Sequence, residues 1–230
     1  MKNKDEVVPV EVKNMKTSFK KFGGEHIPNI VEYLKEYIEK DPNLTISVGC
    51  DSVQRRRKTQ YAITIVLYNG DIKNGGHIIF FRENLTKIAN HFERLQKEAL
   101  FALELAEMLD GELSSFYKRS DLVPRERKRY KFHLLKCAGK HSEVPPHVED
   151  SFINALTLTE SEKTMDYRLV DIHVDFNPSE GHIDKKGVAK NKSNMSYKAN
   201  VSWLRSLGFR VFAKPLAFAS TSAADLLLQD

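Results

Sequence analysis

Leu44-Thr45-Ile46-Ser47-Val48-Gly49-Cys50-Asp51-Ser52 is the stretch on which the fold turns. Ile46, Val48 and Cys50 alternate with smaller or polar residues, the period of a half-buried strand over Leu44–Asp51. The run closes on an acid and then a serine. A carboxylate at the end of an apolar strand is costly to desolvate unless a cation or a hydrogen-bond network compensates it. Tyr61–Tyr68 and His77–Phe81 read as the next two strands. Ser52–Gln60 and Asn69–Gly76 join them with hairpin-length connections, so all three are expected as antiparallel neighbours.

Upstream, Ile30, Val31, Leu34, Tyr37 and Ile38 recur at helix spacing within Ile27–Lys40, with Pro28 near the start and Asp41-Pro42-Asn43 as a stop. Residues 1–26 form a polar, poorly patterned lead-in. Downstream, Thr86–Asp110 is the strongest helix, with Ile88, Phe92, Leu95, Ala99, Leu103 and Ala106 on one stripe and Gly111 at its end. Leu169–Phe176 is a fourth strand, stopped by Asn177-Pro178. Ser193–Leu207 is helical, Phe209–Ala213 is a fifth strand, and Ala219–Leu228 is a last helix with Ser220, Thr221 and Ser222 as caps near its start. Hairpins followed by helical crossovers imply an α/β fold: a mixed five-stranded sheet, three antiparallel strands then parallel ones, with helices on both faces. Residues 112–167 are long for a connection and read as a partly helical insertion. The chain divides into a lead-in and helix over 1–43 and a domain over 44–230.

Composition narrows the class. With 230 residues, one domain or one domain with an insertion is expected. Lys and Arg exceed Asp and Glu by 36 to 31, a balance compatible with a polyanionic partner but shared by many proteins. Two cysteines, Cys50 and Cys137, imply no disulfide framework and a reducing cytoplasm. No segment has the length and apolarity of a membrane span, and Met1–Glu6 lacks the apolar core of a signal peptide.

Three further acids recur at telling places: Glu98 on the long helix, Asp175 in His173-Val174-Asp175-Phe176-Asn177, and Asp225 in Ser222-Ala223-Ala224-Asp225. This order of elements, with an acid on strand one, helix one, strand four and the last helix, resembles the ribonuclease H-like fold. The pieces Val48–Ser52, Arg94–Glu98, His173–Pro178, and Gly208-Phe209 through Lys214-Pro215 to Ala223-Ala224-Asp225 are similar to those of the YkuK-like family of predicted ribonuclease H-fold proteins. They span a little over half of the chain, and the 112–167 segment departs from the family. The resemblance implies that Asp51, Glu98, Asp175 and Asp225 are catalytic and bind metal. Hard oxygen donors suit Mg²⁺ or Mn²⁺ better than zinc. Two such ions, roughly 3.5–4 Å apart, would activate a water and neutralise the leaving 3′-oxygen of a phosphodiester. The expectation is a cytoplasmic metal-dependent nuclease acting on DNA, RNA or a hybrid.

Each acid also has an ordinary explanation. An Asp after a strand forms turns, a Glu on a helix faces water, and an Asp near a helix N-terminus is favourable without metal. Glu98 falls on the margin of the buried stripe, whereas Glu93, Glu104 and Glu107 point to solvent. Asp171, His173 and Asp175 share one strand face. Asp171, His173 and Ser52 are possible supports behind the metal ligands, although Asp171 reads more readily as structural and His173 as a satisfied core histidine. Arg55, Arg56 and Arg57 in the first hairpin turn, Lys185, Lys186, Lys190 and Lys192 beyond Asp175, and Lys214 are candidate phosphate contacts. Lys118, Arg119, Arg125, Arg127, Lys128, Arg129 and Lys131 form another basic set. A solvated charge run explains any of these equally well. His133, Cys137, His141 and His147 have irregular, weakly zinc-like spacing. No phosphate-cradling glycine loop or Ser–His–Asp context is present. The rival to a nuclease is a nucleic-acid or protein-binding module that keeps the fold without cleaving.

Overall fold

One strand joins the antiparallel part of the sheet to its parallel part, and the elements of the site are arranged around it. The computed structural model describes residues 15–41, 44–68, 76–116, 168–176, 197–214 and 217–229. In chain order the elements are β1 (Lys20–Lys21), α1 (Ile30–Lys40), β2 (Thr45–Gln54), β3 (Lys58–Tyr68), β4 (Gly76–Thr86) and α2 (His91–Leu113). Then come β5 (Val170–Val174), α3 (Ser202–Ser206), β6 (Arg210–Phe212) and α4 (Asp225–Leu228). Wide π-type turns over Tyr197–Val201 and Ala219–Ala224 lead into α3 and α4.

Among the described residues, six strands make one sheet in the order β1-β4-β3-β2-β5-β6. Antiparallel pairing runs from Thr45↔Tyr68 to Gln54↔Thr59 between β2 and β3, and from Lys58↔Thr86 to Tyr68↔Gly76 between β3 and β4. On its other side β2 pairs in parallel with β5, from Ile46↔Val170 to Cys50↔Val174, and β5 pairs in parallel with β6. The expected three antiparallel strands followed by parallel ones are all present.

The sixth strand is β1, two residues paired to Phe80 and Ile79 of β4. The lead-in is therefore structured from Met15 onward, and Met15 and Phe19 are wholly buried in the main core. Their apolar side chains are too few and too irregularly spaced to show a strand by periodicity.

Strand alternation divides the sheet into two faces. On one, Ile46, Val48 and Cys50 of β2 join Ile63, Ile65, Ile172 and Val174 beneath α1 and α2. Tyr61 meets Phe101 of α2 there, with ring centroids 5.1 Å apart. Asn29 caps α1, accepting from the N–H of Val31, and Asn90 caps α2, accepting from that of Phe92. Helix α2 starts at His91 rather than Thr86, because Thr86 closes β4. It runs past Gly111 because Leu109 and Leu113 continue its buried stripe.

The other face of β2 carries Ser47, Gly49, Asp51 and Val53. Ala219–Ala224 and α4 lie against it, with Ala62 packed on Ala224, Leu227 and Leu228, and Val66 on Ala219 and Ala223. Thr64 Oγ1 donates to the carbonyl of Ala219 at 2.8 Å. Gly49 makes the approach possible, since a Cβ there would lie 2.6 Å from Ser220 N and 2.7 Å from the Ala219 carbonyl carbon. Ser220 and Thr221 hydroxyls donate back to the Ala217 carbonyl. Neither these nor Ser222 makes a side-chain cap, which corrects the expected capping. Gly208, at φ 86°, turns the chain from α3 into β6.

Gly49→Ala should force backbone against backbone and destabilise the protein by about 1–3 kcal/mol. Thermal unfolding followed by circular dichroism should show the midpoint falling by roughly 2–4 °C for each kcal/mol. An unchanged midpoint would mean that the C-terminal helical segment does not rest on β2.

Candidate active site

The pairing of β2 with β5 ends at Cys50↔Val174. The next residues on the two parallel strands are Asp51 and Asp175, so these acids stand side by side on the Gly49 face. β2 does not stop at Asp51, as its sequence suggests, but runs on to Gln54, where among the described residues it pairs with β3. Asp225 opens α4 against the same face, with an exposed side chain whose Oδ2 accepts from Gln229 Nε2 at 3.1 Å. The fourth acid arrives from the opposite face. Glu98 projects from α2 beneath Ser52, which points away from Asp51 by strand alternation.

Glu98 is only 3% exposed, not marginal as its place on the stripe suggests. Ser52 Oγ donates to its Oε1 at 2.5 Å, and Arg94 Nη1 lies 3.5 Å from the same oxygen. Its Oε2 is buried with no hydrogen-bond partner. Glu104, expected in solvent, also has one buried oxygen, whereas Glu93 and Glu107 are exposed.

These acids share one electrostatic neighbourhood. Burial raises Asp51 from the usual 3.8 to about 7, and the charges of Asp175 and Asp225 push in the same direction. The Ser52 N–H, donating to Asp51 Oδ1 at 2.7 Å, opposes the shift. Burial likewise lifts Glu98 well above the carboxylate range, helped by the charge of Asp51 and then of Asp175. Asp175 Oδ1 has its own cation, Lys214 Nζ at 2.6 Å.

The donor set fits a hard divalent cation in chemistry, being all carboxylate. The unpartnered, buried Glu98 Oε2 and the raised Asp51 fit it too, since both lack compensation. Among the described residues, however, no three His, Cys, Asp or Glu side chains are gathered closely enough to hold an ion as they stand. Lys214 pairs with Asp175, and Ser52 with Arg94 holds Glu98.

Other expected residues take clear places. Asp171 accepts from Arg210 Nε at 2.8 Å and Nη2 at 2.6 Å, a buried bidentate pair between β5 and β6. His173 Nδ1 accepts from the Ala219 N–H at 3.0 Å, so it fastens β5 to the segment that delivers Asp225. Ser52 touches Glu98 directly. Arg55 donates to the Leu228 carbonyl at 2.8 Å, so its guanidinium anchors α4, in contrast to the exposed Arg56 and Arg57 of the same turn. Lys185, Lys186, Lys190 and Lys192, the basic set from Lys118 to Lys131 and the His133–His147 group lie outside the described residues, as does most of the 112–167 segment. Arg94 was given no role by sequence reading. Its signal was the four-residue spacing to Glu98 on one helix face.

Comparison with protein families finds a match to the family described as Ribonuclease H-like, over residues 29–127. That interval holds α1, β2, β3, β4 and α2, and with them Asp51 and Glu98. No curated protein and no solved structure was found to match.

Because Asp51 holds its proton more tightly folded than unfolded, the native state binds more protons between about pH 4 and pH 7. Stability in chelator should therefore fall as pH rises through that window, with Glu98 acting in the same direction. Asp51→Asn should melt higher than the wild type at pH 8, and its melting temperature should depend less on pH. A lower melting temperature for the variant at pH 8 would mean that Asp51 is compensated.

Proposed function

We propose that this chain, similar to the ribonuclease H-like family over residues 29–127, is a metal-dependent nuclease that hydrolyses phosphodiester bonds in DNA, RNA or a hybrid. One observation carries this reading: the buried end of β2 concentrates like charge, with Asp175 and Asp225 acting on Asp51, and Asp51 acting on Glu98. Such a cluster weakens the fold, and a divalent cation would reverse the penalty. Phosphodiester hydrolysis needs that same concentration of negative ligands beside a nucleic acid.

Asp51 and Asp175 would hold Mg²⁺ or Mn²⁺ between them, with Glu98 Oε2 and Asp225 as further ligands. Bound there, two ions would supply water activation and charge neutralisation at the leaving 3′-oxygen. The chain's own residues would do the rest. His173 and Gly49 set the distance of the last helical segment from β2, and so the position of Asp225. Lys214, half exposed at its side chain, can move from Asp175 to a phosphate once a cation replaces it. Arg56 and Arg57 stand exposed in the β2–β3 turn, roughly 15 Å along the strand from Asp51 at about 3.3 Å per residue. Phosphates approaching Asp51 from that end would meet them. No described helix is long and apolar enough to cross a membrane.

A second reading has its own support. The Lys214–Asp175 pair and the separation of the acids suit a nucleic-acid-binding module that does not cleave. Labelled single strands, duplexes, hybrids and four-way junctions incubated with Mn²⁺ separate the two. The nuclease reading expects cleavage of at least one class, abolished by chelator. Asp51→Asn and Asp175→Asn should each lower the rate by about 100-fold or more, near 2.7 kcal/mol of transition-state stabilisation. Binding without cleavage of any substrate favours the module.

Arg56→Ala and Arg57→Ala should each weaken nucleic-acid binding across sequences and reduce the slope of log K against log salt by about 1. Filter binding at several salt concentrations measures this, and an unchanged slope removes both residues from the interface.

A further inference from the structure

Arg94 lies one helical turn before Glu98 on α2, and its guanidinium reaches across to the central strand. Nη1 donates to the Ser52 carbonyl at 2.6 Å and to Ser52 Oγ at 2.7 Å. Nη2 is 3.1 Å from His91 Nδ1, which accepts from it. The single hydroxyl proton of Ser52 is committed to Glu98 Oε1 at 2.5 Å. The chain of donors therefore runs one way, from Arg94 through Ser52 to Glu98. It ends on one carboxylate oxygen and leaves Oε2 buried without a partner.

An ordinary i,i+4 ion pair on a helix surface contributes about 0.3–0.5 kcal/mol and leaves both side chains free to rotate. This pair differs because Ser52 ties it to β2, and Glu98 is enclosed. Only a guanidinium, with several donors in a planar fork, can reach the carbonyl, the hydroxyl and His91 together; a lysine ammonium cannot span them.

We propose that Arg94 is a positioning residue that acts through Ser52 to fix the Glu98 carboxylate, so that Oε2 alone is offered to a divalent cation. The inference rests on the metal-dependent reading of the site. It assigns the arginine a role distinct from phosphate contact or general stability, since it is aimed inward at a carboxylate and a backbone carbonyl.

The test is Mn²⁺ titration of the full chain, with free ion followed by electron paramagnetic resonance. Arg94→Ala should weaken Mn²⁺ affinity by about 10–100-fold, as for loss of groups that orient metal ligands, and Arg94→Lys should recover only part of it. Ser52→Ala should move affinity in the same direction by less. Glu98→Gln retains Asp51, Asp175 and Asp225, so residual binding stays measurable. In that background Arg94→Ala should cost nothing further, because the arginine acts through the carboxylate already lost. A change within about twofold for Arg94→Ala, or an equal loss in both backgrounds, overturns the proposal. If Arg94→Ala fails to give a folded circular dichroism spectrum, Ser52→Ala decides by the same comparison. Mn²⁺ binding that is unaltered in Asp51→Asn is a separate result: it overturns the metal reading of the site, and this proposal with it.

Discussion

Parallel pairing between β2 and β5 governs what this molecule can do. Its register brings Cys50 level with Val174, and the two acids that follow have no choice but to adjoin. A one-residue slip would turn Asp51 or Asp175 to the α2 face, where Cys50 and Val174 are now buried. The apolar alternation that keeps Ile46, Val48, Ile172 and Val174 under α2 is therefore also what holds the acids together. Core packing and site geometry are two consequences of one register.

The cluster so formed is compensated from within the chain, and unevenly. Asp171, one β-repeat below His173, has a bidentate partner in Arg210. Asp175 has a single flexible lysine. Glu98 has one oxygen satisfied and one bare, and Asp51 has a neighbouring N–H and the charge of Arg94 against burial and the charges of Asp175 and Asp225. Compensation falls off towards the end of the sheet at which β5 stops and β2 continues. That gradient separates structural acid from candidate ligand more clearly than burial does, since Asp171 and Glu98 are both buried.

The alternation around Ile46, Val48 and Cys50, the capped stripe of α2 and the hairpin spacings were legible because each is a local pattern with a fixed period. Lys20–Lys21 was not, because a two-residue edge strand has no period, and its pairing with β4 and the burial of Phe19 and Met15 tie it down. The ends of β2 and β4 were underestimated for a related reason: each strand runs past its apolar stretch into polar residues that are held by cross-strand pairing. Among the acids, Asp51 and Asp175 could be placed on their strands from the apolar alternation together with the family resemblance. The depth of Glu98 could not, since it lies beneath Ser52 of β2, which meets it only after β2 and α2 have packed. The Arg55 contact was not legible either: a basic run shows charge but not which guanidinium reaches back to the carbonyl of Leu228.

The central claim is that the end of β2 is a cation site formed by Asp51 and Asp175 with Glu98 and Asp225 around them. Crystals grown with Mn²⁺ and measured at the manganese absorption edge address it without any assumption about substrate. The account expects an anomalous peak between the Asp51 and Asp175 carboxylates, with Lys214 turned away from Asp175. Manganese found elsewhere on the protein, with Lys214 still on Asp175 and no peak at Asp51, would contradict it.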